Sequence, residues 1–388
     1  MDVSERCRHL WEKSEPNKDG SPFALLLEIF SYLYRFGVVL RNNFYDKNLY
    51  RSVKLPCKVI SVGNVTVGGT GKTPMVILLA RMLKDYGYRP AVLSRGYKGK
   101  GTSPVNVVSD GKSILLSPLV GGDEPVLIAE SLPGVSVITG PDRYLTGKKA
   151  VTSLGADVLI LDDGFQHRRL YRDINIVLLD INRPWGNGYL LPRGPLREPA
   201  ARALQRADIL IRTGRVQGSR SVDTVGIKKE TEDSWKFPQF NIPVFRGIHQ
   251  PCGLVSWDNR GETAPRYLAG KRICAFAGIG APEQFRRTLE SLGAEIGVFL
   301  TYPDHHSYTS SDMESIERAA KKAHAEIIVT TEKDETKLMP LGGRTLSFYS
   351  LRIEMNIKPR EPFEQLIIKM LKDKDLSTGC FPAGSGSR

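Results

Sequence analysis

Residues 62–74 read VGNVTVGGTGKTP, and the reading of this stretch decides the fold. Just before its glycines, Val59-Ile60-Ser61-Val62 has the length and composition of a short buried strand. From Pro74 onward, MVILLARMLKDYGY has helical length and apolar spacing. Strand, glycine loop and helix in that order form the unit that turns backbone N–H groups toward a phosphate. Gly71-Lys72-Thr73 matches the end of the pattern G-x-x-x-x-G-K-[ST], although Thr66 stands where its first glycine belongs. Gly68, Gly69 and Gly71, with Thr70 between them, supply the positive φ values that an anion cradle needs. Lys72 is then placed to reach the β and γ phosphates of a nucleotide, and the Thr73 hydroxyl to ligate Mg²⁺. A ligand-free βα turn would explain the glycines but not the lysine among them.

Beyond this unit, short apolar strands alternate with helical stretches: AVLS from 91, VSVI from 135, DVLIL from 157, INIVLLD from 174 and ADILI from 207. The alternation predicts a mainly parallel sheet with helices on both faces, a P-loop NTPase-like α/β fold. Residues 214–260 break the pattern with GRVQGSRSVDT, a polar KKETEDSWK patch and several prolines. RICAFAG, EIGVFL, AEIIVTT and RTLSFYS then start a second series. A chain of 388 residues exceeds one ordinary core, so two α/β lobes are expected. The organisation read from the sequence is a polar extension over 1–20, a membrane-associated helix over 21–48, a P-loop lobe over 49–215, a boundary region over 216–260, a smaller α/β lobe over 261–372, and a disordered tail over 373–388.

A net charge of +13 asks for an acidic partner: nucleic acid, anionic lipid or a phosphorylated substrate. Its distribution narrows the choice. FALLLEIFSYLYRFGVVL, residues 23–40, is nearly long enough to span a bilayer, yet it carries Glu28 and Arg35 seven positions apart on one helical face. That pattern favours a helix lying in the membrane interface over a clean span; the competing reading is an amphipathic helix packed on the protein's own core. Arg35, Arg41, Lys47, Arg51, Lys54 and Lys58 follow with only Asp46 against them, as suits a segment on anionic headgroups. The first twenty residues, with Asp2, Glu5, Glu12, Glu15 and Asp19, make a poor secretory signal or transit peptide. Cys7, Cys57, Cys252, Cys274 and Cys380 are scattered, which points to a reducing compartment and no structural zinc.

Three further stretches carry chemistry. VLILDDGFQHRRL places Asp162 and Asp163 directly after a buried strand, where a Walker B carboxylate holds Mg²⁺, or else where a carboxylate caps a helix. GGDEP offers Asp123 and Glu124 in a glycine-bounded loop, and YPDHHSY offers Asp304, His305 and His306. Taken together they suggest an Asp–His pair in which an imidazole tunes the carboxylate that accepts a hydroxyl proton, with either histidine as the partner. Arg95, Arg143, Arg193 and Arg197 sit at loop positions suited to phosphate oxygens.

GNVTVGGTGKTP, VLSRGY, GGDEP, GPDR, LDDGFQHRRL, LPRGPLREP, FAGIGAPEQF, YPDHHSY and TTEKD, in that order from about residue 22 to residue 350, resemble the tetraacyldisaccharide 4′-kinases of lipid A biosynthesis. That family's P-loop also lacks the leading glycine. The resemblance implies ATP, Mg²⁺ and transfer of the γ-phosphate to the 4′-hydroxyl of an acylated glucosamine disaccharide 1-phosphate at a membrane surface. It implies Asp123, His305 and Lys72 as catalytic residues, Asp123 being the base and His305 its partner. Gly68 to Thr73 would bind ATP, and Thr73, Asp162, Asp163, Glu124 and Glu198 would serve the metal. Asn64, Arg95, Tyr97, Arg143, His167 and Arg197 would face the substrate. A monomer is expected, on the cytoplasmic face of a bacterial inner membrane or the inner membrane of a mitochondrion. The alternative is a P-loop regulatory NTPase that hydrolyses nucleotide without transfer; a GTPase of that kind needs an N-K-x-D box, which TTEKD does not supply. Nucleic acid is not expected, since no RNP-like aromatic pair, helix-turn-helix pattern or helicase motif set is present.

Overall fold

The structure is a computed structural model that describes residues 7, 11, 21–96, 99, 101, 103–214, 241–338 and 345–376. Helix α1 (Pro22–Asp46) comes first, capped by the Ser21 side chain, which accepts from the Ala24 N–H. Strand β1 (Lys58–Asn64), the glycine loop and helix α2 (Lys72–Asp85) then form the expected unit. The rest of this half is β2 (Pro90–Ser94), β3 (Asn106–Asp110), α3 (Pro118–Gly121), α4 (Asp123–Ser131), β4 (Ser136–Thr139), α5 (Arg143–Leu154), β5 (Val158–Asp162), β6 (Ile174–Asp180), α6 (Ala200–Leu204) and β7 (Ile209–Thr213). The other half holds β8 (Val244–Ser256), β9 (Glu262–Thr263), β10 (Arg272–Ala277), α7 (Pro282–Ser291), β11 (Glu295–Thr301), α8 (Ser310–Lys322), β12 (Ile327–Thr331), α9 (Glu332–Leu338), β13 (Phe348–Lys358) and α10 (Arg360–Leu376).

One sheet of 13 strands runs through both halves in the order β11-β10-β12-β13-β8-β7-β6-β1-β5-β2-β4-β3, with β9 beside β8. Its pairings are parallel except β3 with β4, β8 with β13 and β8 with β9. Alternate side chains of β1 feed opposite faces: Ile60 and Val62 pack with Met75 and Leu79 of α2, while Val59 packs with Ala150 of α5. Both faces are covered, which is why these strands read as continuous apolar runs. The register pairs Val62 with Asp162, so the ends of β1 and β5 open side by side at the glycine loop.

The boundaries differ from the sequence reading in two places. Residues 244–256, inside the expected boundary region, form the long strand β8. Its first residues pair with β7 and its last with β9, while residues 248–252 have β13 alone as a neighbour. The halves therefore join through a two-stranded antiparallel ribbon, with a register shift where Pro251 faces Ile353. Helix α10, expected in the second lobe as far as 372 and extending through 376 into the expected disordered tail, returns to the first: Phe363, Ile367 and Leu371 lie in one core with Ile60, Met75 and Leu79. Their four-residue spacing makes one apolar stripe, and burying each such side chain contributes about 1.5–3 kcal/mol. Residue 215, the part of the boundary region over 216–240 and the tail from 377 lie outside the described residues, as does the extension over 1–20 apart from residues 7 and 11.

Helix α1 docks on the first half along a narrow stripe. Ala24, Leu27, Ser31 and Asn42 are buried, and the Ser31 hydroxyl donates to the Leu190 carbonyl at 2.8 Å. Arg168 binds the Asn42 carbonyl at 3.1 Å and the Asp46 carboxylate at 2.7 Å. The other face, with Leu25, Ile29, Leu33 and Phe36, is exposed. Packing on its own core thus accounts for the stripe and leaves the apolar face open.

Candidate active site

Gly68 and Gly71 take φ values of 133° and 84°, the left-handed turns that the cradle requires. Asn64 holds the loop from beneath, donating to the Thr70 hydroxyl at 3.1 Å. Lys72 opens α2 with its ammonium 3.8 Å from an Asp163 oxygen. A Cβ at Gly71 would collide with the ring of His249, which β8 lays against the loop. No motif in the sequence marks His249, because the contact exists only after the ribbon has folded.

Asp162 ends β5 and is buried; Oδ2 accepts from the Ser94 hydroxyl at 3.1 Å. Burial, together with the nearby charges of Glu124 and Asp163, pushes its carboxyl up to about 7. Asp163 sits at a φ of 50° and takes Arg197 at 2.8 and 2.9 Å. Burial would raise it, but Lys72 and Arg197 overcome that effect and hold its carboxyl below the usual carboxylate range. Among the described residues no three His, Cys, Asp or Glu side chains converge on one point as a metal cage. A buried carboxylate with weak compensation, beside a P-loop, instead fits a Mg²⁺ held by one or two carboxylates and shared with nucleotide phosphates.

Asp123 and Glu124 open α4 directly after Gly122, whose φ of 92° turns the chain. Carboxylates suit a helix N-terminus, where the unpaired N–H groups are positive. From the other half, His305 takes a φ of 61° and its backbone N–H donates to the Gly278 carbonyl. Its Nδ1 lies 2.8 Å from Asp123 Oδ2 and 3.2 Å from Oδ1. Lys337 of α9 approaches the same Asp123 Oδ2 at 3.5 Å. Burial acts to raise the Asp123 carboxyl, but the His305 hydrogen bond and the charges of Lys333 and Lys337 hold it well below the usual range. Asp334, fully buried, ties this corner together by accepting from Gly278 N–H, the Thr331 hydroxyl and the Tyr308 hydroxyl.

The neighbouring His306 is a different case. Its Nε2 lies 3.2 Å from Asp312, the capping-box residue of α8, and its ring sits between Tyr302 and Tyr308. His305 is therefore the histidine that meets Asp123.

The remaining candidates divide. Arg143 is buried at the start of α5 with its guanidinium on the Gly140 carbonyl at 2.7 Å, and burial draws it below its ordinary value. His167 is pushed down to about 4 by burial and by Arg143, so it is neutral near pH 7; its buried Nε2 has no partner among the described residues. Arg95 is exposed, and Tyr97 lies outside the described residues. Glu198, expected from the resemblance as a metal carboxylate, departs from that role. It is fully buried with Arg206 on both oxygens at 2.8 Å, joined by Gln166 and by Asn42 of α1. A carboxylate saturated in this way has no oxygen left to offer a cation. Lys333, within TTEKD, reaches Glu124 across the lobes at 2.9 Å.

The chain is similar to known proteins over most of its length. The family described as Tetraacyldisaccharide-1-P 4'-kinase matches residues 23–372. A Tetraacyldisaccharide 4'-kinase of Syntrophus aciditrophicus (strain SB) is 68% identical over 373 residues, covering 96% of this chain and 100% of the relative. Another from Desulfatibacillum aliphaticivorans is 38% identical over 368 residues, covering 93% and 96%. A crystal structure of LpxK from Aquifex aeolicus, described as an "apo" form in complex with ATP, superimposes with a TM-score of 0.70 at 35% identity, covering 90% of this chain and 99% of that one.

Proposed function

The chain belongs to the tetraacyldisaccharide-1-P 4′-kinase family, and we propose that the two halves of its sheet divide one phosphoryl transfer between them. The reaction moves the γ-phosphate of ATP to the 4′-hydroxyl of an acylated glucosamine disaccharide 1-phosphate, a lipid A precursor. In the proposed site the backbone from Gly68 to Thr73 wraps the phosphates and Lys72 neutralises the β and γ oxygens. Thr73, Asp162 and Asp163 would hold Mg²⁺, with Glu124 beside them; when bound, the ion offsets charge on the transferring phosphoryl group. Asp123 accepts the proton of the attacking hydroxyl while His305 fixes the orientation of its carboxylate. Arg143 and Arg197 are the guanidinium partners proposed for the phosphates of nucleotide or lipid, and neutral His167, Asn64, Arg95 and Tyr97 are proposed to face the substrate.

One observation carries this reading: His305 and Asp123, 182 positions apart, meet at 2.8 Å, and Glu124 beside Asp123 is near enough to act on Asp162 together with Lys72. Attack by water or by an alcohol releases a proton, but an acceptor completed only where two lobes meet suits a nucleophile bound between them, with bulk water shut out.

The exposed apolar face of α1 is proposed to lie in the membrane interface, bringing the lipid to the site. Four reduced cysteines among the described residues and the use of ATP favour the cytoplasmic face of the inner membrane. Both members of the Asp–His pair come from one chain, so a monomer suffices.

The test is incubation with γ-labelled ATP, Mg²⁺ and detergent-dispersed tetraacyldisaccharide 1-phosphate, with Lys72→Ala as the blank. Label in the lipid phase is the expected result. Label released only as inorganic phosphate would make the protein a hydrolase.

A further inference from the structure

Lys333 and Lys337 occupy i and i+4 on α9, one turn apart, and flank the Asp–His pair from two sides. Lys337 faces Asp123. Lys333 Nζ lies 3.3 Å from His305 Nε2, 3.3 Å from Asp304 Oδ1 and 2.9 Å from Glu124 Oε1, and its side chain is mostly buried. An ammonium has three donors and no acceptor, so an imidazole nitrogen within its reach must present a lone pair. The Asp304 carboxylate stands 3.8 Å from Nε2, beyond hydrogen-bond length. With Nε2 accepting, the imidazole proton resides on Nδ1, where it is donated to Asp123 at 2.8 Å.

We propose that Lys333 is a positioning residue for the transfer: it selects the His305 tautomer that donates to Asp123, and its contact with Glu124 joins that choice to closure of the two lobes. The inference rests on the proposed role of the pair and sharpens it. With Nε2 engaged by an ammonium, the imidazole cannot itself collect the sugar proton. The hydroxyl proton passes to the Asp123 carboxylate, and His305 keeps its own proton throughout.

Selective ¹⁵N-histidine labelling of the full chain, read by long-range proton–nitrogen correlation at one fixed pH, reports the tautomer directly. The chain has 6 histidines, and His305→Asn identifies the signal to follow. The expected result is a proton on Nδ1 in the parent and a mixture of tautomers in Lys333→Met, with the other histidine signals in place as evidence of an intact fold. In the transfer assay Lys333→Met should lose kcat by roughly 10-fold to 100-fold with KM for ATP within about threefold, and Lys333→Arg should regain most of the loss and keep the parent tautomer. If Lys333→Met fails to fold, Lys333→Arg carries the test through the tautomer and kcat it retains. A proton on Nε2 in the parent, or a His305 signal unchanged in Lys333→Met, overturns the proposal. Full activity in Asp123→Asn would sink the proposed role of the pair instead, while leaving the tautomer measurement to stand or fall separately.

Discussion

The imidazole of His305 and the carboxylate of Asp123 share a 2.8 Å hydrogen bond across the seam between the two halves of the sheet. If the pair acts as one unit, Asp123→Ala and His305→Ala should each lower kcat by about 10²-fold to 10⁴-fold with little change in KM for ATP, and the double variant should be hardly worse than the poorer single. His306→Ala, which removes a tyrosine-packed ring bound to Asp312, should cost far less. A double-mutant cycle on kcat decides the matter; fully multiplicative losses would mean that the two residues act independently.

Asp162 predicts an unusual pH dependence of stability. Its folded carboxyl, raised by burial to about 7, binds a proton more tightly than the unfolded value of 3.8. The stability it contributes is fully present below the unfolded value and is lost as pH rises through the folded one. In chelator and without nucleotide, Asp162→Asn should therefore be more stable than the parent, by a margin that grows from about pH 4 to about pH 7 and then levels off. Calorimetry across that range checks it, and parallel curves for the two proteins would remove the buried charge from the account.

Glu198 should behave as a structural carboxylate. Glu198→Ala leaves the largely buried Arg206 guanidinium without its counter-charge and frees Asn42 of α1, a loss of about 3–5 kcal/mol. Urea unfolding measures it. Unchanged stability with lost Mg²⁺ dependence would return Glu198 to the metal.

Leu33 and Phe36, 64% and 69% exposed, point away from the stripe that docks α1. Replacing both with glutamate removes about 1.5–3 kcal/mol of available burial per residue. Vesicle binding should fall at least roughly 10-fold while ATP affinity stays near the parent value. Sedimentation with anionic liposomes tests this, and an unaffected pellet would place the membrane contact elsewhere.

Local chemistry was legible in the sequence wherever one short stretch carried it. The strand before Gly68 and the helix after Gly71 announce themselves through spacing, and Asp162 through its place at the end of an apolar run. Strand β8 was not legible, because Gly247, Pro251 and Gly253 dilute its pattern and its partner β13 lies about 100 positions away. The partner of α10 was hidden for a related reason: an apolar stripe announces burial, not against what. His249 and Lys333 take their roles from contacts between distant segments, and no spacing encodes such contacts. The choice between His305 and His306 was hidden for the same reason, since it turns on a contact with Asp123 182 positions away, while His306 is held locally by Asp312.

The route of the chain through the ribbon also sets an order of assembly. The second lobe begins as β8 leaves the first and ends as β13 comes back, and only then does α10 deliver Phe363 to Phe245, with ring centroids 5.3 Å apart, and Ile367 and Leu371 to the core of α2. On the ribosome the nucleotide-binding half is thus the first to start and the last to finish: its apolar face waits uncovered while about 100 further residues are made. A nonsense codon late in the message would accordingly strike the P-loop, at the far end of the sequence, rather than the lobe encoded next to it.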